Sequence, residues 1–152
     1  MAQRIGQYTL RFDCPPCIHG YASVVGKKEA TGPLSGTFDI VNEDSHFGQK
    51  SWELAESKMQ QLAIETAVHK AGKKVEEMQF ILAGDLLNQC VGSSLASVQS
   101  GVPYLGLYGA CSTMAEGLAV GACLVDGACA ERLAAAASSH FCSAERQYRF
   151  PL

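Results

Sequence analysis

The sequence predicts an α/β fold: a mainly parallel sheet with helices on both faces and a buried central helix starting near Cys111. Three observations carry this expectation. From about residue 50, short apolar runs alternate with longer runs of helical periodicity, the pattern of parallel strands joined by right-handed crossovers. The stretch 112–125 carries Ala115, Gly117, Ala119 and Gly121, small residues that let a helix pack very closely, so it should be central. The apolar run Val102–Tyr108 stops at Gly109, which leaves Cys111 at a strand-to-helix junction.

Size and composition set the frame. The chain has 152 residues, 47% of them hydrophobic and 18% charged, enough apolar surface for one folded domain and too much for a disordered chain. Net charge is −3 without a basic stripe, which argues against nucleic acid as a partner. No run approaches the roughly 18 apolar residues of a membrane span. Met1–Gly6 leads into polar alternation, so no signal peptide is expected. The seven cysteines (14, 17, 90, 111, 123, 129 and 142) are odd in number and irregularly spaced, and read as mostly reduced thiols.

The elements follow in order. Gln7–Phe12 alternates as a half-buried strand, broken by Asp13–Cys17, and Tyr21–Val25 resumes as a second extended piece. The Cys14 and Cys17 pair has the spacing of a redox or zinc motif; with no second pair, a proline-stiffened turn is the simpler reading. Lys27–Gln49 reads as a long polar loop with at most a turn of helix. Lys50–Ala71 is the clearest helix, with Trp52, Ala55, Met59, Leu62 and Thr66 as its core stripe and Gly72 ending it. Gln79–Ala83 is a buried strand, Leu86–Ser100 a helix, Pro103–Tyr108 a strand and Ser112–Val125 a helix. Arg132–Ser138, with its four alanines, has helix propensity but reads as a buried parallel strand because the alternation runs through it. Ser143–Leu152 reads as an exit segment. The chain thus divides into strands and loop over 1–49, an alternating core over 50–140, and a tail over 141–152.

In parallel sheets, ligands sit outside the carboxyl ends of the strands. Segments 84–88, 109–112 and 138–140 meet that edge, so Cys111, Ser112, Asn88, Ser139 and His140 become the candidate ligand-binding residues, with no catalytic residue, metal ligand or cofactor assigned. Cys111 could instead be a small buried core residue, but the convergence of the three segments favours the site. A helix N-terminus at Cys111 favours thiolate and attracts carboxylates. Thr113 and Glu116 read as a capping box that would offset part of that potential.

At these residues the sequence resembles a known family. Gly84–Asn88 (GDLLN), Gly109–Thr113 (GACST), Leu124–Gly127 (LVDG), Ser138–His140 (SSH) and Ala144–Gln147 (AERQ) look like the stage V sporulation protein AD family, and Phe38–Asp39 and Gln49–Glu53 (QKSWE) add to the match. More distantly the chain is similar to the thiolase and ketoacyl-synthase superfamily, with Cys111 at the nucleophile position. The resemblance implies a thiolase-like half-domain, used for binding dipicolinic acid (pyridine-2,6-dicarboxylate), with or without calcium. It further implies a peripheral place at the spore inner membrane beside the other membrane proteins of the SpoVA apparatus, in uptake during sporulation and release on germination. An acyltransferase using Cys111, or an interaction subunit that binds no ligand, is the alternative. The family's proteins have two such halves, so a C-terminal half or a second chain is expected to supply the other wall. Leaving an interface-sized apolar face uncovered, at about 25 cal/mol per Å², costs on the order of tens of kcal/mol.

Overall fold

The computed structural model describes residues 1–86 and 90–144. The expected helix from Lys50 runs from Trp52 to Lys70 (α2). Ser51, in extended conformation, caps it by accepting from Leu54 N–H. At its far end Gly72 turns left-handed (φ +69°), and Gly72 and Lys73 donate back to the His69 and Val68 carbonyls, which satisfies the last turn.

Beyond α2 the chain builds a three-stranded parallel sheet in the order β6-β5-β7, from Phe80–Asp85 (β5), Tyr104–Gly106 (β6) and Leu133–Ser138 (β7). Helix α3 (Val91–Val98) joins β5 to β6, and α4 (Thr113–Asp126) joins β6 back across to β7. Crossovers of one hand that reverse direction must lie on opposite faces. The packing agrees. On one face, Ile64 and Val68 of α2 meet Ile81, Ala83 and Ala136; on the other, Gly117 and Gly121 of α4 lie against Leu82, Leu133 and Ala135. The period-two alternation of β5 and β7 therefore divides one sheet between two helical layers.

The glycine face of α4 is the buried one. Its opposite face is open in this chain, with Met114, Leu118 and Val120 exposed, and α3 likewise exposes Val91, Leu95 and Val98. The apolar side chains Val91, Leu95 and Val98 thus form the outward face of α3, and Gly92, Ser93, Ala96 and Ser97 face the core.

Three expectations are corrected. The extended piece over 7–12 is largely exposed instead of half-buried. Thr9–Arg11 (β2) pairs with Gln3–Ile5 (β1) in an exposed antiparallel hairpin, so Tyr8 and Leu10 face solvent instead of a core. The segment 27–49 is not a plain loop. It holds a helical turn, Lys27–Ala30 (α1), and a strand, Ile40–Asn42 (β4), which pairs in parallel with Val24–Gly26 (β3). Finally, α2 buries Ala55, Glu56, Ser57, Gln60, Ile64 and Val68; of the expected stripe Ala55 is buried, and Trp52, Met59, Leu62 and Thr66 are half-buried, so the core face is rotated from them. Polar residues sit inside because residues distant in sequence supply their hydrogen bonds.

Candidate ligand-binding edge

The carboxyl ends of the sheet bring the expected segments together. Gly84 pairs with Ala137 and Asp85 with Ser138, while Gly84 also abuts the Leu107 carbonyl and Thr113 Cγ2. The end of β5 therefore lies between the turn 107–113 on one side and the end of β7 on the other. Asn88 lies outside the described residues.

Cys111 is exposed, in a short 3-10 turn (Ala110–Ser112) entered through Ala110 at φ +49°. Helix α4 begins immediately after it. The capping-box reading does not hold: Thr113 is the first residue of the helix, and Ser112, at the cap position, makes no side-chain cap bond. The Ser112 hydroxyl donates instead to the Gly109 carbonyl at 2.8 Å. Glu116 lies in the first turn, its carboxylate close against Gly109, where it offsets part of the positive helix end.

Ser139 is exposed and lines a cleft of about 240 Å³ with Ala22, Ser23, Met59 and Gln60. His140 is buried and fully engaged. Cys142 N–H donates to its Nδ1 at 3.2 Å, so Nε2 carries the hydrogen and donates to the Ser45 carbonyl at 2.8 Å. Trp52 lies against this ring (centroids 5.3 Å apart) and stacks on His46 at 3.6 Å. The imidazole thus positions the corner after β7, and neither nitrogen is left over to accept a proton from a thiol.

Beneath the edge lies a buried polar network that the sequence reading missed. Gln60 Nε2 lies 3.1 Å from each of three acceptors, the Gly84 carbonyl, Ser93 Oγ and Ser138 Oγ, which share its two hydrogens. Ser93 donates through N–H and Oγ to Asp85 Oδ2, both at 2.7 Å. Ser138 Oγ and Ser143 Oγ lie within hydrogen-bond distance of the two oxygens of Glu56, at 3.0 and 2.6 Å. Burial pushes the Glu56 carboxyl above its usual range, opposed by the bonds from Ser143 and Ser138 and reinforced by the charge of Asp85. The available sequence signal was the four-residue spacing of Glu56, Gln60, Ile64 and Val68, one ridge of a helix. Among the described residues, no group of three or more His, Cys, Asp or Glu side chains could hold a metal ion. No helix there is long and apolar enough to cross a membrane.

The comparisons bear on the fold and the family. Among solved structures the chain is similar to 3-oxoacyl-[acyl-carrier-protein] synthase III from Aquifex aeolicus VF5, with a TM-score of 0.52 and 18% identity over 57% of this chain and 30% of that one, which shows a thiolase-like fold. It is 40% identical over 146 residues to stage V sporulation protein AD of Bacillus subtilis (strain 168), covering 96% of this chain but 43% of that protein's length. The chain therefore spans less than half of the relative it matches. The family model for stage V sporulation protein AD (SpoVAD) matches residues 6–152, and the chain belongs to that family.

Proposed function

We propose that this chain supplies one wall of a binding pocket for dipicolinate, a pyridine dicarboxylate, and holds it without acyl transfer. The observation that carries the reading is the convergence of segments 84–85, 107–113 and 137–138 at one sheet edge, with exposed Cys111 at the start of α4. A helix start presents unpaired N–H groups, which suit a carboxylate. We assign ligand contact to Cys111, Ser112, Asn88 and Ser139, while His140, named with them from the sequence, holds the corner that carries Ser139. Family membership favours a ligand of the sporulation apparatus, and calcium would enter as the counter-ion of the dicarboxylate. A partner surface, from a second half or another chain, completes the pocket over the open face of α4. The membrane proteins of the same apparatus are the proposed neighbours.

One feature supports binding over catalysis. A thiol nucleophile needs a base beside it, and both ring nitrogens of His140 are committed to Ser45 and Cys142.

Calorimetry tests this reading, with dipicolinate titrated with and without calcium into this chain and into a counterpart of the relative's full length. Heat of binding is expected with the longer protein, together with slower alkylation of Cys111 when ligand is present. Silence from the longer protein under both conditions would end the proposal. Turnover of an acyl thioester that is lost in Cys111→Ser would replace it with the acyltransferase reading.

A further inference from the structure

The corner that follows β7 is fastened to α2 through one carboxyl group. Glu56 is wholly buried, and it gathers Ser138 Oγ at 3.0 Å, Ser143 Oγ at 2.6 Å and the backbone N–H of His140. Ser143 Oγ also lies 2.9 Å from the His140 carbonyl, in geometry suited to donation. A hydroxyl has one hydrogen. If Glu56 is ionised, that hydrogen can serve Glu56 or the carbonyl, and one short oxygen pair goes without. If Glu56 carries a proton, its own O–H spans the 2.6 Å to Ser143, and Ser143 donates onward to His140. Only the protonated arrangement supplies a hydrogen to each contact.

The surroundings favour the same state. The charged group facing Glu56 from β5 is Asp85, 1% exposed, whose Oδ2 accepts twice from Ser93. A β-carbon on Gly92 would lie 3.4 Å from both Asp85 Oδ2 and Glu56 Cγ, so the two carboxyls flank one point of α3. From α3 come Gly92 and Ser93, from β7 Ser138 and from α2 itself Gln60, none of them charged. From the corner comes His140, whose ring is neutral by its hydrogen bonds. Two carboxylates sharing a dry site without a cation repel each other and lose their hydration.

We propose that Glu56 carries a proton in the folded protein and donates it to Ser143, forming a clasp that holds the 138–143 corner on α2 while the proton is present. Loss of the proton to solvent leaves a buried anion beside Asp85. Water reaches it most easily by lifting the corner, whose Ser139 and Phe141 are already exposed. Ser139 and His140 ride on this segment, so their placement follows the proton. The raised range of the Glu56 carboxyl agrees in direction. The sign follows from linkage. A carboxyl raised by folding stabilises the fold fully below its unfolded value, and that contribution is lost as pH rises through the folded value.

The test contains no ligand, so it can fail separately from the dipicolinate reading. Amide exchange is followed at Cys142 and Ala144, whose N–H groups bond to His140, between about pH 5 and about pH 9 and corrected for intrinsic rates. Protection there is expected to fall about tenfold or more across the titration, while Leu82 in β5 keeps its protection. Glu56→Gln should hold the corner at every pH, because its amide donates to Ser143 and accepts from Ser138 as the neutral acid does. Infrared spectra at neutral pH should show a protonated carboxyl band that vanishes in the same variant. Flat protection in the unmodified protein overturns the clasp even if Glu56→Gln fails to fold. A variant as loose as Glu56→Ala, or an acid band missing from the unmodified protein, overturns it as well.

Discussion

Gly84 and the Leu107 carbonyl are packed so closely that a β-carbon on Gly84 would overlap the carbonyl oxygen and stand 2.7 Å from Thr113 Cγ2. That approach brings the end of β5 against the turn containing Cys111. Backbone cannot swing aside as a side chain can, so Gly84→Ala should destabilise by more than about 3 kcal/mol and disturb the edge. Gly121 is the control. There an added β-carbon meets Leu133 Cδ1 at 2.9 Å, the far end of a movable side chain. Gly121→Ala should cost about 1 kcal/mol or less, because repacking and the better helix propensity of alanine offset the contact. Urea unfolding of the two variants measures the difference, and equal midpoints would contradict the geometry.

Gln60 ties three elements with one nitrogen, since the two hydrogens of its amide are shared among Gly84 in β5, Ser93 in α3 and Ser138 in β7. The amide orientation is fixed, because the Gly84 carbonyl can only accept. Gln60→Leu keeps much of the volume but removes the donor from three buried acceptors. The expected loss is about 2–4 kcal/mol, read from chemical denaturation. A neutral result would mean that water replaces the amide and that the network does not hold the edge.

Thiol accessibility separates Cys111 from Cys90. Cys14, Cys17, Cys111, Cys123 and Cys129 are exposed, whereas Cys90 is buried with its thiol 3.1 Å from the Leu107 carbonyl. Iodoacetamide on the folded chain, read by peptide mass spectrometry, should label Cys111 at least about a hundredfold faster than Cys90, which needs local opening to react. Similar rates at the two would place the 107–113 turn wrongly.

The alternation of strands and helices was legible because each strand is a short apolar run between punctuating residues. Even the alanines of β7, helical by propensity, fell into place, pairing with β5 from Leu133 to Ser138. The inward face of α2 was legible only at Ala55. The helical-period stripe otherwise selects Trp52, Met59, Leu62 and Thr66, but the buried ridge runs through Glu56 and Gln60 because Ser93, Ser138 and Ser143 wait inside to bond them. Those partners are 33, 82 and 87 residues away, beyond any local pattern. The same distance hid the role of His140, which bonds Ser45 across 95 residues. Position along a sheet edge can be read from sequence; the partner of a buried polar atom needs the fold.

An acid limb should oppose the alkaline behaviour of Glu56. Asp39 accepts from Lys70 Nζ at 2.8 Å and from Ser23 N–H at 2.9 Å, which joins the start of β4 to the residue before β3 and to the last turn of α2. The Lys70 bond, then the Ser23 bond, hold its carboxyl below the usual range. A carboxyl lowered by folding stabilises the fold above its unfolded value, and the contribution disappears as pH falls through the folded value. The β3–β4 pair should therefore loosen in acid before the β6-β5-β7 sheet does, because its three-residue ladder has little else to hold it. Asp39→Asn should reproduce the loosening at neutral pH, since an amide keeps one acceptor and loses the charge that attracts Lys70. Amide exchange at Ser23 and Ile40, compared with Leu82, measures both effects. A common acid midpoint for the three amides would show that the pair has no separate opening, and that Asp39 does not govern it.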